Sequence, residues 1–120
     1  MESFAILESN VTKRSFCHHA IGMSGVIYPP AFLASLKQAG STFLECCPKA
    51  DDLWLHVQAV RAGYKIRQIT SRPVRFLEIP GTGSTGLCKQ NLEAGGNDKQ
   101  VRSTYAATDI DILRQDLIAA

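Results

Sequence analysis

Long apolar runs are missing from this sequence, and none approaches the ~20 residues that a membrane-spanning helix needs. An excess of one charge is missing too, because 13 basic and 11 acidic side chains leave a net charge of +2. Nucleic-acid-binding proteins usually carry a concentrated basic patch, so we expect no nucleic-acid partner. The densest basic region alternates with apolar residues. Its side chains are expected to lie on the solvent-exposed edges of a helix and two strands: Arg61, Lys65, Arg67, Arg72 and Arg75.

Signatures of targeting, metal binding and nucleotide binding are also absent. The first residues lack the basic-then-apolar order of a signal peptide, which predicts a cytoplasmic protein. The cysteines lack the gaps of about two to four residues found in structural zinc sites, and we predict no metal site. Neither a dinucleotide fingerprint nor a phosphate loop is present. All four cysteines are expected to be reduced, and most of them to be buried small hydrophobic groups: Cys17, Cys46, Cys47 and Cys88.

The composition itself suits one small folded domain. Hydrophobic residues make up 45% of the chain and charged residues 20%, enough for a single core over residues 1–120. Short β-branched or aromatic runs predict strands, at 4–7, 26–28, 64–69 and 73–79. Apolar spacing and capping residues predict helices, at 30–39, 51–62, 87–93, 98–105 and 109–118. We therefore expect an α/β fold in which a small mixed sheet carries helices mainly on one face.

The most informative stretch is 47–55, where Asp51 and Asp52 follow Pro48 at the start of a predicted helix. Acidic side chains favour helix starts because the first turn has unpaired N–H groups and a positive dipole end. Neighbouring helical residues point about 100° apart, so one carboxylate can serve the helix start while the other faces a cleft. A carboxylate held there is able to accept a proton from a substrate hydroxyl, as a general base does. Ordinary capping by both acids is the alternative.

Three segments together resemble the C-terminal half of bacterial nucleotide-sugar glycosyltransferases with the GT-A fold. They are 25–30 (Gly-Val-Ile-Tyr-Pro-Pro), 47–55 (Cys-Pro-Lys-Ala-Asp-Asp-Leu-Trp-Leu), and Asn91 followed by 95–100 (Gly-Gly-Asn-Asp-Lys-Gln). The resemblance covers roughly residues 20–105, and its middle segment is the most specific. It implies a fold like the acceptor-side subdomain of those enzymes.

The resemblance also implies roles for individual residues. In that family the second acid of the pair is commonly the base that deprotonates the acceptor hydroxyl in an inverting transfer. By position, Asp52 is the predicted catalytic base, Asp51 its acceptor-binding or orienting neighbour, and Gly25 lies near the sugar. Trp54 is a candidate for sugar stacking, although its place on an apolar stripe also suits the core. Three more candidates follow the last glycines, and capping explains the first two nearly as well: Asn97, Asp98 and Gln100.

The sequence departs from that family on the donor side. GT-A enzymes hold the donor diphosphate and a divalent metal through an Asp-x-Asp motif in a preceding Rossmann-like half. The only Asp-x-Asp here is 109–111, late in the chain and in a predicted helix, which favours capping and solvated surface. We therefore expect no separate nucleotide-binding domain and no cofactor bound by this chain alone. A divalent metal is expected only where a donor-binding partner supplies the site, and the chain is expected to be inactive alone.

Two classes of function follow from these expectations. The first is a glycosyltransferase-like partial domain that keeps the acceptor side and acts with a separate donor-binding chain, or survives as a remnant. The second is a non-catalytic carbohydrate-binding module or a homodimeric interaction module, because an open sheet would offer an unpaired edge to a second copy. The expected partners are accordingly a sugar acceptor, a second copy of the chain, or a donor-binding chain.

Overall fold

Five α-helices and one isolated β-bridge form the secondary structure of the computed structural model, which describes residues 13–22, 25–70, 77, 80–81 and 95–120. In chain order the helices are α1 Pro30–Ala39, α2 Phe43–Cys46, α3 Asp51–Arg61, α4 Gly96–Thr104 and α5 Ala107–Ala119. Helix α3 packs against α1, α4 and α5, and α2 packs against α4. The core lies around α3, and its buried apolar residues are Phe32, Cys47, Ala50, Leu53, Val57, Ala59 and Val60.

Helix α1 begins and ends where the sequence predicts. Pro30 occupies the first turn, where a missing N–H costs nothing, and Gly40 closes the helix with a φ of +64°. Phe32 is buried against Tyr64 in an edge-to-face contact with ring centroids 5.4 Å apart. Leu33, on the same predicted apolar stripe, is 50% exposed. Phe32 is therefore the main apolar contact between α1 and the core.

The predicted helix that opens on the acidic pair is confirmed as α3. Its buried apolar face has helical spacing: Leu53, Val57 and Val60. Past the helix end, Gly63 takes a φ of +77°, a left-handed conformation that glycine adopts without steric cost. The Tyr64 N–H then donates to the Ala59 carbonyl at 2.8 Å, which closes the turn out of the helix.

The predicted α/β fold with a small mixed sheet is wrong for the residues that the structure describes. Within 64–69 only Ile66 pairs, exchanging two 2.9 Å backbone hydrogen bonds with Ser15 in an antiparallel bridge. Residues 26–28 form no strand, and the prolines that follow remove two backbone donors. A β-branched run becomes a strand only where a second strand accepts its hydrogen bonds, which local spacing cannot reveal. The sheet-based subdomain implied by the GT-A resemblance is therefore not the architecture of this part of the chain.

Some predicted elements lie outside the described residues. They are the strand at 4–7, the strand at 73–79 apart from Leu77, and the helix at 87–93. Within the described ranges, every helix is too short or too polar to cross a lipid bilayer.

A buried carboxylate fixes the start of α5 to α3. Asp109 is 2% exposed and accepts hydrogen bonds from Arg61 Nε at 3.0 Å and Nη2 at 2.7 Å. It also accepts the Ala106 N–H at 2.8 Å, which confirms the predicted capping role, although the helix begins two residues earlier than expected. The predicted solvated position is wrong for Asp109, whose carboxylate Arg61 neutralises inside the fold, and is confirmed for Asp111, whose side chain is 63% exposed. Burial raises the pKa of Asp109, but the hydrogen bonds from Arg61 and Ala106 and the Arg61 charge bring it below its ordinary value.

A second buried carboxylate fixes the other half of α5. Asp116 Oδ1 accepts Lys65 Nζ at 2.6 Å, and Oδ2 accepts the Ser15 hydroxyl at 2.6 Å and the Phe16 N–H at 2.7 Å. The hydrogen bonds from Lys65 and Ser15 lower the pKa of Asp116 to about 2 against the effect of burial, with the Phe16 N–H and the Lys65 charge adding to them. Residues 15–16 are thereby attached to α5, and this attachment positions the histidines that follow.

Candidate functional site: the acidic start of helix α3

The acidic pair lies in the first turn of α3, as predicted. Asp51 is exposed, and the Asp52 side chain is 37% exposed. Asp52 Oδ1 accepts the Leu53 N–H at 2.9 Å, and the same amide also donates to the Ala50 carbonyl at 3.1 Å. In this turn a backbone hydrogen bond orients the Asp52 carboxylate, whereas the Asp51 carboxylate faces solvent.

A pair of stacked histidines lies beside Asp52. His19 Nε2 is 3.6 Å from Asp52 Oδ2, which is an ion-pair distance but too long for a hydrogen bond. The His19 ring stacks on His56 with centroids 5.1 Å apart and planes 5° from parallel. Contact with a buried ring restricts the His19 side chain and keeps its nitrogen near the carboxylate.

His56 is buried, and its hydrogen bonds define its tautomer. Nε2 lies 2.8 Å from the Phe16 carbonyl oxygen, which can only accept, so Nε2 carries a hydrogen. In the neutral ring, Nδ1 then accepts from the Tyr105 hydroxyl at 2.6 Å. Burial lowers the pKa of His56 and the charge of His19 lowers it further, against the opposing backbone hydrogen bonds of Phe16 and His18. The neutral Nε2–H form therefore fits this position.

Two tyrosines near the pair are held in their protonated form. Burial, with charges from nearby groups including Asp52 adding to it, raises the pKa of Tyr105 to about 12. Burial and the charges of Asp51 and Asp52 raise the pKa of Tyr28. Both phenols are therefore neutral hydrogen-bond donors at physiological pH, and the negative charge of this region is concentrated on the two aspartates.

Two other predicted site residues have structural roles of their own. Gly25 is exposed with a φ of +87°, and a Cβ there would meet nothing within 4 Å. Backbone conformation therefore accounts for this glycine, with its N–H donating to the Gly22 carbonyl at 3.0 Å. Trp54 is half-buried and packs on Phe43 of α2, with ring centroids 6.4 Å apart. Trp54 thus joins α2 to α3, and a contact with sugar stays a prediction.

The three predicted site residues of α4 differ in their burial and in their contacts. Gly95, with a φ of +64°, precedes the helix, so the prediction of Asn97 or Asp98 as the N-cap is wrong and both lie within the first turn. Asn97 is half-buried and Asp98 is exposed. Gln100 is buried, and its Oε1 accepts the Lys49 N–H at 3.0 Å while its Nε2 donates to a first-turn carbonyl of α4 at 3.2 Å. Gln100 therefore holds the loop that leads into the acidic pair.

Two adjacent thiols lie in the connection between α2 and α3. Their Sγ atoms are 3.6 Å apart; Cys47 is 1% exposed, whereas Cys46 is half-buried. Burial raises the pKa of the Cys47 thiol, a hydrogen bond with Thr104 opposes this, and the neighbouring Cys46 adds to it. Across the described ranges, no group of three or more His, Cys, Asp or Glu side chains is arranged to hold a metal ion.

Comparison with family models, curated proteins and solved structures returned no match. An open hollow of about 560 Å³ lies away from the acidic turn, and none of the predicted site residues lines it. Its lining is basic and aromatic: Lys13, Arg14, Gly63, Tyr64 and Lys65.

Sequence reasoning missed the partners that surround the acidic pair. His56 carried a usable signal, because it lies three residues after Leu53 and four before Val60, on the apolar face of α3. His19 and Tyr105 carried none, since their contacts join residues that are far apart in the chain.

Proposed function

We propose that this chain supplies the acceptor side of a sugar-transfer reaction, with Asp52 as the general base. The observation that best supports this role is the asymmetry of its carboxylate. Oδ1 is oriented by the Leu53 N–H at 2.9 Å, and Oδ2 belongs to a partly exposed side chain with His19 3.6 Å away. A general base needs a fixed oxygen that a substrate hydroxyl can reach, and Oδ2 meets both requirements. The sequence resemblance of 47–55 to nucleotide-sugar glycosyltransferases supplies the substrate class.

In the proposed reaction, an acceptor hydroxyl donates a hydrogen bond to Asp52 Oδ2. It transfers its proton there as its oxygen attacks the anomeric carbon, and the nucleotide diphosphate leaves from the opposite face. Asp51, exposed in the same turn, accepts hydrogen bonds from neighbouring hydroxyls of the acceptor. A separate donor-binding chain presents the activated sugar, and a divalent metal, where the reaction uses one, belongs to that chain.

Binding of the purified chain to an array of oligosaccharides tests the acceptor role. We expect saturable binding to a subset of saccharides, lost in Asp52→Ala and weakened in Asp52→Asn, which keeps the side-chain shape but, with its one oxygen on the Leu53 N–H, presents an NH2 group in place of Oδ2. Asp111→Ala is the matched control, because this carboxylate is 63% exposed on α5 and should not affect binding. Absence of binding by the wild-type chain, or equal binding by Asp52→Ala, would contradict the assignment.

Two outcomes would favour the alternatives. Binding that survives Asp52→Ala would indicate a carbohydrate-binding module in which the aspartate has no part. Dimers in sedimentation experiments, without saccharide binding, would indicate an interaction module. Sugar transfer from a nucleotide sugar by the purified chain alone would refute the need for a donor-binding partner.

A further inference from the structure

The adjacent thiols of Cys46 and Cys47 differ in accessibility. Cys46 is half-buried at the end of α2, and its Sγ lies 3.6 Å from the Thr42 carbonyl. Cys47 is 1% exposed and belongs to the core. The two Sγ atoms are 3.6 Å apart, so they must approach by about 1.6 Å to reach the bonding distance of about 2.0 Å. Cys46 can therefore react with a small molecule from solvent, and Cys47 is close enough to attack Cys46 Sγ and release that molecule again.

We propose that Cys46 and Cys47 form a reversible disulfide, with a small soluble disulfide such as oxidised glutathione as the oxidant. The Cys46 thiolate attacks one sulfur of the small disulfide, forms a mixed disulfide and releases one small thiolate. Cys47 then attacks Cys46 Sγ, and its proton passes to the second small thiolate as that group leaves, giving a small thiol. Overall two protein thiols are oxidised to one disulfide, and one small disulfide is reduced to two thiols.

The bond formed in this way should be easy to reduce. The Cα atoms of adjacent residues are about 3.8 Å apart across a trans peptide. Ordinary disulfides join Cα atoms roughly 4.4–6.8 Å apart, so the small ring of an adjacent pair is strained. Strained disulfides are the labile and regulatory ones, because strain favours the dithiol. The pair is thus suited to switching and not to permanent cross-linking.

The position of Cys47 connects this switch to the acidic turn. Its N–H donates to the Phe43 carbonyl at 2.8 Å, and its carbonyl accepts the Ala50 N–H at 3.3 Å. The Ala50 carbonyl in turn accepts the first amides of α3, from Leu53 at 3.1 Å and Trp54 at 3.4 Å. Moving the Cys47 side chain out of the core toward Cys46 therefore disturbs the residues that start α3, where Asp51 and Asp52 lie.

The Cys17→Ser/Cys88→Ser variant, which keeps only this pair, provides the direct test. After treatment with oxidised glutathione we expect loss of both free thiols, a peptide lighter by two hydrogens, and full recovery on adding dithiothreitol. In Cys47→Ser the glutathione adduct on Cys46 should persist, and in Cys46→Ser the buried thiol should stay free. Differential alkylation and peptide mapping of the wild-type chain give the same readout should a variant fail to fold.

Three results would overturn the inference. They are two free thiols after oxidation, a glutathione adduct that persists on Cys46 with Cys47 present, or a disulfide between two chains. Amide hydrogen exchange tests the coupling: oxidation should speed exchange at Leu53 and Trp54 by about tenfold, reversibly. Unchanged exchange at these two amides would refute the connection to α3.

Discussion

Arg61 and Asp109 form a two-point ion pair, with Nε donating to Oδ1 at 3.0 Å and Nη2 to Oδ2 at 2.7 Å. The carboxylate is buried, whereas the Arg61 side chain is 41% exposed. The planar guanidinium matches the planar carboxylate, a geometry that is stronger and more directional than a single charged hydrogen bond. The end of α3 is thereby fixed to the start of α5 at the border of the core.

Removing Arg61 should destabilise the fold, because it leaves Asp109 buried without its charged partner. We expect Arg61→Met to lower the free energy of unfolding by about 1.5–3 kcal/mol. Arg114→Met is the matched control, since Arg114 is 72% exposed and lies 3.5 Å from Asp111 on the same helix. That change should cost less than about 0.5 kcal/mol. Urea denaturation measures both, and equal losses would contradict the structural role of Arg61.

Asp116 should give the protein a stability loss in acid. Its folded-state pKa of about 2 lies below the value near 3.9 of an unfolded chain. The unfolded state therefore binds the proton first, and the stabilisation is complete above about pH 4 and is lost as the pH falls toward 2. In Asp116→Asn this part of the pH dependence should disappear, together with about 1–3 kcal/mol of stability at neutral pH. Unfolding curves over this range, with Asp111→Asn as the control, provide the measurement.

His56 should make the stability of the fold depend on pH in a second, higher pH range. Its folded-state pKa is lowered, so the unfolded chain, with a pKa near 6.5, takes up the proton first. Stability is complete above about pH 6.5 and decreases as the pH falls through the lowered value. NMR titration of the imidazole should place its midpoint below the ordinary histidine value. His56→Gln should flatten the stability profile there, whereas His18→Gln should leave the decrease in place; a raised midpoint would refute the assignment.

Phe32 should be the most costly residue of α1 to truncate. It is 2% exposed and packs on Tyr64, so Phe32→Ala removes a whole buried ring. We expect a loss of about 3–5 kcal/mol. Leu33→Ala, one position along the same helix and 50% exposed in the wild-type chain, should cost about 1 kcal/mol or less. Similar losses at the two positions would mean that α1 packs through a different face.

Helix bounds were the part of the fold that the sequence revealed best. Pro30 and Gly40 mark α1, and the acidic pair and Gly63 mark α3, because each of these residues acts on the backbone within a turn of its own position. The sheet could not be judged in this way. Ile66 lies in a run with the composition of a strand, yet whether it pairs depends on a segment some fifty positions away, and only the single bridge to Ser15 forms.

For the candidate site, too, the sequence predicted the residues at the helix start but not the residues that surround them. Asp51 and Asp52 were found because the helix start explains their position. The residues around Asp52 were not predicted, because His19 comes from the loop before α1 and Tyr105 from the end of α4. Gln100 was predicted as a site residue but holds the Lys49 loop, because a buried amide must pair both its donor and its acceptor.

The hydrogen bond from the Phe16 N–H to Asp116 joins residues one hundred positions apart. At translation rates of roughly 5–20 residues per second, residue 116 is added about 5–20 s after residue 16. A ribosome-bound chain therefore has the acidic helix complete before Asp116 exists to fix the segment that carries His19. Asp116 is accordingly the last partner of this segment to be synthesised, because His56 and Ile66, which also bind the segment, come much earlier in the chain.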